Sequence, residues 1–312
     1  MPSILVVGYN AWDTIVPLPS VPPPDSKYEV DGIVSCGGGP AANAAAALAA
    51  LGAEVRLATV LADDDAGRRQ RDDLRARGVD LGLCRAAPGA RTPAAVILAA
   101  PDGGRRILWS RGDLPRLDPA AVGEDWLDGI DLLLFDGHEP AAAGRLADVA
   151  LARGLPAVMD AGGPRPEVVA LGGRCTDLIA SAAFGASVGG SRDPFAALRA
   201  LRRGPVRRAA ITCGEAGCLA VSDGAPFHVP AFAVAALDTT GAGDVFHAGY
   251  AFARADGAGF REALDFASAA AALKCLGRGG RLPAPDLPAV RAILADGPRS
   301  DRKPGRLPAA DG

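Results

Sequence analysis

The stretch "ALDTTGAGDVFHAGYAFA", Ala236 to Ala253, decides how this chain is to be read. The residues before Gly241 ("AFAVAAL") are strand-like and those from Asp244 on are apolar and helix-like, so Gly241 and Gly243 are expected where a strand turns into a helix. Glycine permits the positive φ of a tight turn and lets a ligand come close to bare backbone. The N–H groups of Ala242, Gly243 and Asp244 would then point out of the helix start and form an anion site favoured by the helix dipole. A phosphate fits there, and Asp244 is placed to take a proton from an attacking hydroxyl, as phosphoryl transfer needs. A bland reading stands beside it: Asp244 caps the helix and Gly-Ala-Gly is an ordinary connection.

Outward from that turn, strand-like runs recur at "SILVVG", "LLLFDG", "PAVMDAG", "TDLIAS" and "AAITCG". Helix-like segments separate several of them: Ala41 to Leu51, Gly67 to Arg77, Ala141 to Arg153, Pro194 to Arg203, Asp244 to Arg254 and Arg261 to Leu276. Such alternation predicts an α/β fold with a mostly parallel sheet covered by helices on both faces. Two stretches break the pattern, about 12–36 and 92–110; the second reads as a hairpin around Asp102-Gly103-Gly104. Both are assigned to a small β lid over the open ends of the sheet, a cover that would close a pocket against water. The segment 296–312 is rich in Pro, Gly and charge and is expected to be a disordered tail, leaving one domain over 1–295.

Composition narrows the partners. The chain has 312 residues, 49% of them apolar, and a formal net charge of -3 with no basic face, which argues against nucleic acid and anionic lipid and for a small molecule. Its six cysteines form no Cys-x-x-Cys pair, so zinc is not expected and buried thiols in a reducing, cytoplasmic setting are. The N-terminus lacks a basic n-region and reads as a first strand rather than a signal peptide, and no run is long enough to span a bilayer.

The segment from Asp238 to Phe246 resembles the C-terminal signature of the PfkB, or ribokinase-like, family of carbohydrate and nucleoside kinases, D-T-x-G-A-G-D followed by an apolar helix. A second signature of that family is matched by "CGGGPAANAAAALAALGAEVRLATVLADDDAG", from Gly38 to Gly67. The resemblance covers Ile4 to about Leu294 and implies a ribokinase-like three-layer sandwich with a β lid. It implies ATP-dependent phosphorylation of a primary sugar hydroxyl, with Asp244 as base and Gly241, Ala242 and Gly243 as the anion hole. Asp13, Gly38, Gly39 and Asn43 are then expected to bind the sugar, the Asn43 amide offering both a donor and an acceptor. Asp238 and Thr240 match positions that hold a monovalent cation, K+, in many members.

"ITCGEAG", Ile211 to Gly217, resembles the family's nucleotide segment and implies Thr212 and Gly214 near the ATP phosphates, Gly217 near the nucleotide and Ser268 near adenine; taken alone it reads as a hairpin turn. Many members also carry Asn-x-x-Glu for magnesium and phosphate, but this chain has "SAAF", Ser181 to Phe184, which leaves the Mg2+ ligands unassigned. No Walker A sequence is present. "GGGPAA", Gly37 to Ala42, also satisfies a dinucleotide fingerprint, yet it comes after a lid strand rather than a first strand, and Pro40 would intrude on the pyrophosphate turn.

The phrases "GGGPAAN", "DTTGAGDVFH" and "AAALKC…RGGR" look closest to sugar kinases acting on phosphorylated or sulfonated ketohexoses, in which Lys27 would face the anionic substituent. Trp109, His138 and Glu139 are the other polar or aromatic groups that region offers, and Asp160 is read equally as a cleft residue or a turn former. Two rivals stay open: a nucleoside kinase of the same fold, disfavoured by 5% aromatic content, and a weakened sugar-binding or regulatory protein. A homodimer through the β lid is also expected.

Overall fold

Strand β1 (Ser3–Val7) is buried along its whole length and its side chains serve two cores: Leu5 and Val7 face one layer, Ile4 and Val6 the other. A strand apolar at every position must be covered on both faces. The computed structural model, which describes residues 1–18, 20, 23–100 and 105–309, does this with helices. β1 pairs in parallel with β4 (Glu54–Ala58) and β9 (Leu132–Phe135), and the parallel run continues through β10 (Ala157–Ala161), β11 (Asp177–Ser181) and β12 (Arg208–Thr212). Antiparallel β13 (Cys218–Val221) and β14 (Phe227–Val229) extend one edge, giving the order β14-β13-β12-β11-β10-β9-β1-β4.

One layer is formed by α3 (Pro140–Arg153), α4 (Pro166–Gly172), α5 (Ala182–Gly189) and α6 (Pro194–Leu201). The other contains α1 (Pro40–Ala50), α7 (Ala242–Ala255), α8 (Phe260–Lys274) and α9 (Leu287–Asp296), with α2 (Asp65–Ala76) joined to it through Leu74. The many alanines of α1, α7 and α8 have a physical use: they favour helix and let axes approach closely, so that Phe252 stacks on Phe266 with ring centroids 5.6 Å apart.

The lid is a separate sheet of β3 (Val34–Gly38), β2 (Ala11–Pro17), β7 (Ala94–Ala99) and β8 (Arg105–Ser110), in that order. Its register sets Asp13, Ala95 and Trp109 in one row across the strands and Ile15, Ile97 and Ile107 in the next, all on one face. A short parallel pair, β5 (Val60–Ala62) with β6 (Arg85–Ala87), completes the β structure. The hairpin expected around residues 102–104 joins β7 and β8, with its turn outside the described residues.

Two expectations fail for identifiable reasons. "AFAVAAL" forms no strand: Phe232 bridges Arg299, the Ala233 N–H donates to Pro298 O (2.8 Å) and the Leu237 N–H to Cys275 O (2.8 Å), so its backbone is satisfied by scattered partners rather than one ladder. The glycine turn is therefore preceded by irregular chain. The segment after Asp296, expected to be disordered, instead bonds to the body at Pro298, Ser300 and Leu307, the last only 2% exposed.

Helix α7 is tied to the sheet by a buried polar contact. Asp177, wholly inaccessible at the start of β11, accepts hydrogen bonds from Tyr250 Oη (2.8 Å) and from an Arg208 guanidinium nitrogen (3.1 Å). Tyr250→Phe removes one donor from a buried carboxylate, so a loss of about 1–3 kcal/mol is expected, read as a lower urea midpoint. An unchanged midpoint would show that the contact carries no stability.

Candidate active site

The open ends of β1, β9, β10 and β11, the first turns of α1 and α7 and the lid face one another, and chemistry-bearing side chains from all of them converge there. At the start of α7, Gly241 adopts φ 75° as the N-cap, and a Cβ on it would fall 2.4 Å from Gly280 O, so both its conformation and its neighbour demand glycine. The Val245 N–H makes the first helical bond, to Gly241 O (2.9 Å). Of the three amides expected to form the anion site, that of Ala242 is already engaged, donating to Thr239 O (3.1 Å). Those of Gly243 and Asp244 have no acceptor among the described residues, and Gly243 is accessible at the turn. Two of the three expected amides are thus uncommitted among the described residues.

Asp244 is joined to α1. Its Oδ2 accepts from Asn43 Nδ2 (2.7 Å), while Asn43 Oδ1 accepts from Arg281 Nε (3.1 Å). The Arg281 guanidinium, 4% exposed in the loop after α8, also donates to Gly38 O (3.0 Å) and pairs with Asp73 of α2 (2.5 Å). A continuous chain, Asp73–Arg281–Asn43–Asp244, therefore fixes which way the Asn43 amide points. Gly39 is the N-cap of α1 at φ 87°, and its carbonyl takes the Asn43 N–H (2.9 Å). Gly38 makes room for Asp13: a Cβ there would lie 2.0 Å from the Asp13 carboxylate. Asp13 is 5% exposed, and its Oδ1 has no hydrogen-bond partner.

Charge is concentrated at this point. Burial pushes the Asp13 carboxyl up to about 6, against the pull of Arg281 and with the help of Asp244. Burial likewise raises Asp244, opposed by the Asn43 hydrogen bond, His247 and Arg105. One turn along α7, His247 Nδ1 lies 2.7 Å from Gly243 O and 3.2 Å from Asp160 Oδ2, and Nε2 lies 3.2 Å from Ile179 O. Burial drives Asp160 up to about 7, although His247 opposes it. Asp160 is thus part of the cluster rather than only a turn former.

Asp136, just past the end of β9, accepts from the N–H groups of Tyr9 (2.7 Å), Ala41 (3.1 Å) and His138 (2.9 Å), clamping the ends of two strands to the start of α1. Beside it Tyr9 stacks on His138 at 4.7 Å, and Trp109 of the lid stands edge-on to both. Arg111 lies over the Tyr9 ring and pairs with the buried Glu139 at 2.6 Å. A chain with few aromatic residues thus gathers several at one mouth, so overall aromatic content is no guide to what this cleft accepts. Arg105, also on the lid, donates to Thr239 O (2.6 Å) and Thr239 Oγ1 (2.9 Å), reaching the anion turn itself.

The remaining expected residues are more scattered. Asp238 accepts from the Thr240 (2.8 Å) and Gly279 (2.9 Å) N–H groups; burial alone would raise it, but the Thr240 hydroxyl, these bonds and the Lys274 ammonium hold it below its ordinary value. Thr240 is buried against that carboxylate. Thr212 ends β12 and Gly214 (φ 56°) and Gly217 (φ 82°) shape the turn into β13, so this stretch is the hairpin that its own residues predict. Ser268 is buried in α8. Lys27 lies exposed in irregular chain between β2 and β3, with no contact to the cluster among the described residues. Ser181 caps α5, accepting from the Phe184 N–H (3.0 Å), and no group of three or more His, Cys, Asp or Glu able to hold a metal ion occurs among the described residues.

Sequence reading missed Arg281, Asp136, His247 and Arg105. Arg281 stood in view in "GRGGR", but arginine is exposed by default, and only the tertiary structure shows it buried.

The family model of pfkB family carbohydrate kinases matches residues 1–287. The chain is 30% identical over 308 residues to an ATP-dependent ribose-1-phosphate kinase of Halopiger xanaduensis, covering 95% of this chain and 99% of that protein. It resembles the crystal structure of an Agrobacterium tumefaciens protein provisionally named a ribokinase, at 28% identity and a TM-score of 0.88, over 94% of this chain and 97% of that one. It also shares the fold of an Arabidopsis thaliana ribokinase complexed with ribose and ATP, at 24% identity and a TM-score of 0.78, over 94% of this chain and 98% of that one.

Asp13 carries a pH signature. With a folded value near 6 against an ordinary 3.8, it costs nothing below pH 4, and stability is lost as pH rises through 6, where a charge must be held in the interior. That loss is on the order of 3 kcal/mol. Asp13→Asn is therefore expected to match the wild type in melts at pH 4 and exceed it at pH 7.5, in the absence of ligand. A stability difference that does not change with pH would refute the buried charge.

Proposed function

The chain belongs to the pfkB family of carbohydrate kinases, and from that premise we propose that it transfers the γ-phosphoryl group of ATP to a primary hydroxyl of a pentose or pentose phosphate, with Asp244 as the base. The observation that carries this reading is the first turn of α7, where two uncommitted amides sit beside a carboxylate that Asn43 holds in place. The amides of Gly243 and Asp244 would stabilise the migrating phosphoryl group, and Asp244 would take the hydroxyl proton. Catalysis would come mostly from position and fixed dipoles, since the transition state is largely metaphosphate-like.

Asp13 and Asn43 would hold sugar hydroxyls: one has a buried acceptor oxygen with no donor, the other an amide fixed by Arg281. Gly38 and Gly39 shape that floor. Lys27 has no place in the scheme. The kinship with a ribose-1-phosphate kinase favours ribose and its phosphates over ketohexoses. A nucleoside acceptor is the second reading, favoured by the Tyr9–His138–Trp109 cluster on which a base could stack.

Magnesium would arrive with ATP and shield its phosphates; no group of three or more His, Cys, Asp or Glu is arranged to hold it among the described residues. Asp238 and Thr240 would hold K+, their carboxylate and hydroxyl oxygens being the hard donors that suit it. Thr212, Gly214 and Gly217 would meet the nucleotide, and Ser268 would lie near adenine. No helix of the described residues is long and apolar enough to cross a membrane. A cytoplasmic setting, resting on six free cysteines, and a homodimer through the outward face of the lid, where Val96 and Leu108 are exposed, complete the proposal.

Asp244→Asn is expected to lower kcat by at least about a thousandfold, because proton acceptance and geometry are lost together, while ATP still binds. Near wild-type turnover would remove Asp244 as the base. Turnover with ribose, ribose 1-phosphate, ketohexoses and their phosphates, adenosine and inosine will rank the acceptors; activity confined to nucleosides would favour the second reading. Saturating sugar should slow hydrogen exchange in residues 92–110, and unaltered exchange would deny the lid its covering role.

A further inference from the structure

The segment beyond α9 turns back along the antiparallel edge of the sheet and is fixed at both ends. At the near end, Ala233 N–H donates to Pro298 O and Ser300 N–H to Ala231 O (both 2.8 Å), and the Arg299 guanidinium lies 3.7 Å over the Phe232 ring. Arg302 pairs with Glu215 in the turn between β12 and β13 at 2.6 Å. At the far end Leu307 is buried, its N–H donating to Arg192 O and its carbonyl accepting from Arg192 Nε, each at 3.0 Å. Between these anchors residues 304–308 line one wall of an open pocket of about 280 Å³ whose other walls include Ala182, Thr212 and Gly214. Arg306 lines that cavity, is exposed, and has no carboxylate partner among the described residues.

We infer that residues 302–308 form a strap that completes the nucleotide site, with Arg306 as the cation that meets the polyphosphate. This rests on the kinase reading above, which puts Thr212 and Gly214 at the phosphates. A strap that plugged the site would occupy the cavity; this one leaves it open and brings positive charge to its rim, Arg302 being neutralised by Glu215 while Arg306 is not. Ala182 belongs to the stretch that offers neither amide nor carboxylate, so a cation from elsewhere in the chain has room to act there. An arginine suits the task because its planar fork meets two phosphate oxygens at once.

The test compares the intact chain, Arg306→Gln and a chain ending at Ser300, by calorimetric titration with ATP, ADP and adenosine and by steady-state kinetics. Arg306→Gln is expected to weaken ATP and ADP by about five- to tenfold, leave adenosine unaffected and leave KM for the acceptor unchanged. Removal of residues 301–312 should weaken ATP at least as much. Because Leu307 is buried, the truncated chain is read beside its melting curve, and Arg306→Gln, altered only at an exposed side chain, decides the matter. Equal ATP affinity in Arg306→Gln and the intact chain, an equal loss for adenosine, or tighter ATP binding on truncation would overturn the inference. Absence of ATP binding by the intact chain would bring down the kinase reading as well, so the two failures are distinguishable.

Discussion

A single buried guanidinium organises the candidate active site of this molecule. Arg281 reaches from the loop after α8 to Asn43 of α1, to the Gly38 carbonyl at the end of β3 and to Asp73 of α2, so the β3–α1 junction and α2 are registered against a loop more than 200 residues away by one planar group. Burying such a charge is costly unless it is paired and hydrogen-bonded, and here each guanidinium nitrogen has an acceptor, two of them neutral and one a carboxylate. The consequence is direction: the Asn43 amide must turn its NH2 toward Asp244, and the carboxylate of α7 is thereby aimed by a helix it does not belong to.

The same region concentrates negative charge. Asp13, Asp136, Asp160 and Asp244 influence one another electrostatically, and burial raises Asp13, Asp160 and Asp244 above their ordinary values. Asp136 is occupied by three amide donors and holds strand ends together. Asp13 keeps an oxygen unpaired, an arrangement that makes sense where a hydroxyl-bearing ligand is to supply the missing donor. Carboxylates in one cleft thus differ in what surrounds them, and their duties separate accordingly.

Most of the central sheet was legible in the sequence because its strands are short, mostly apolar runs that alternate with helices: "SILVV", "LLLF" and "DLIAS" all form strands, and the first turns of α1 and α7 were located by their glycines. The legible part of the site was the part written in local chemistry, namely Asp244, Asn43 and Gly241. The part that escaped is decided by tertiary structure alone. "AFAVAAL" has strand composition but no partner strand, and residues 297–309 have the composition of a free tail yet find a bed along the sheet edge. Arg281 and Arg105 look like surface residues until the chain brings their partners to them.

Arg105 donates to Thr239, so strand β8 of the four-stranded sheet is fastened to the chain just before the α7 turn. Any swing of that sheet away from the central body has to break both of these hydrogen bonds first, so one side chain sets how firmly the two sheets are joined.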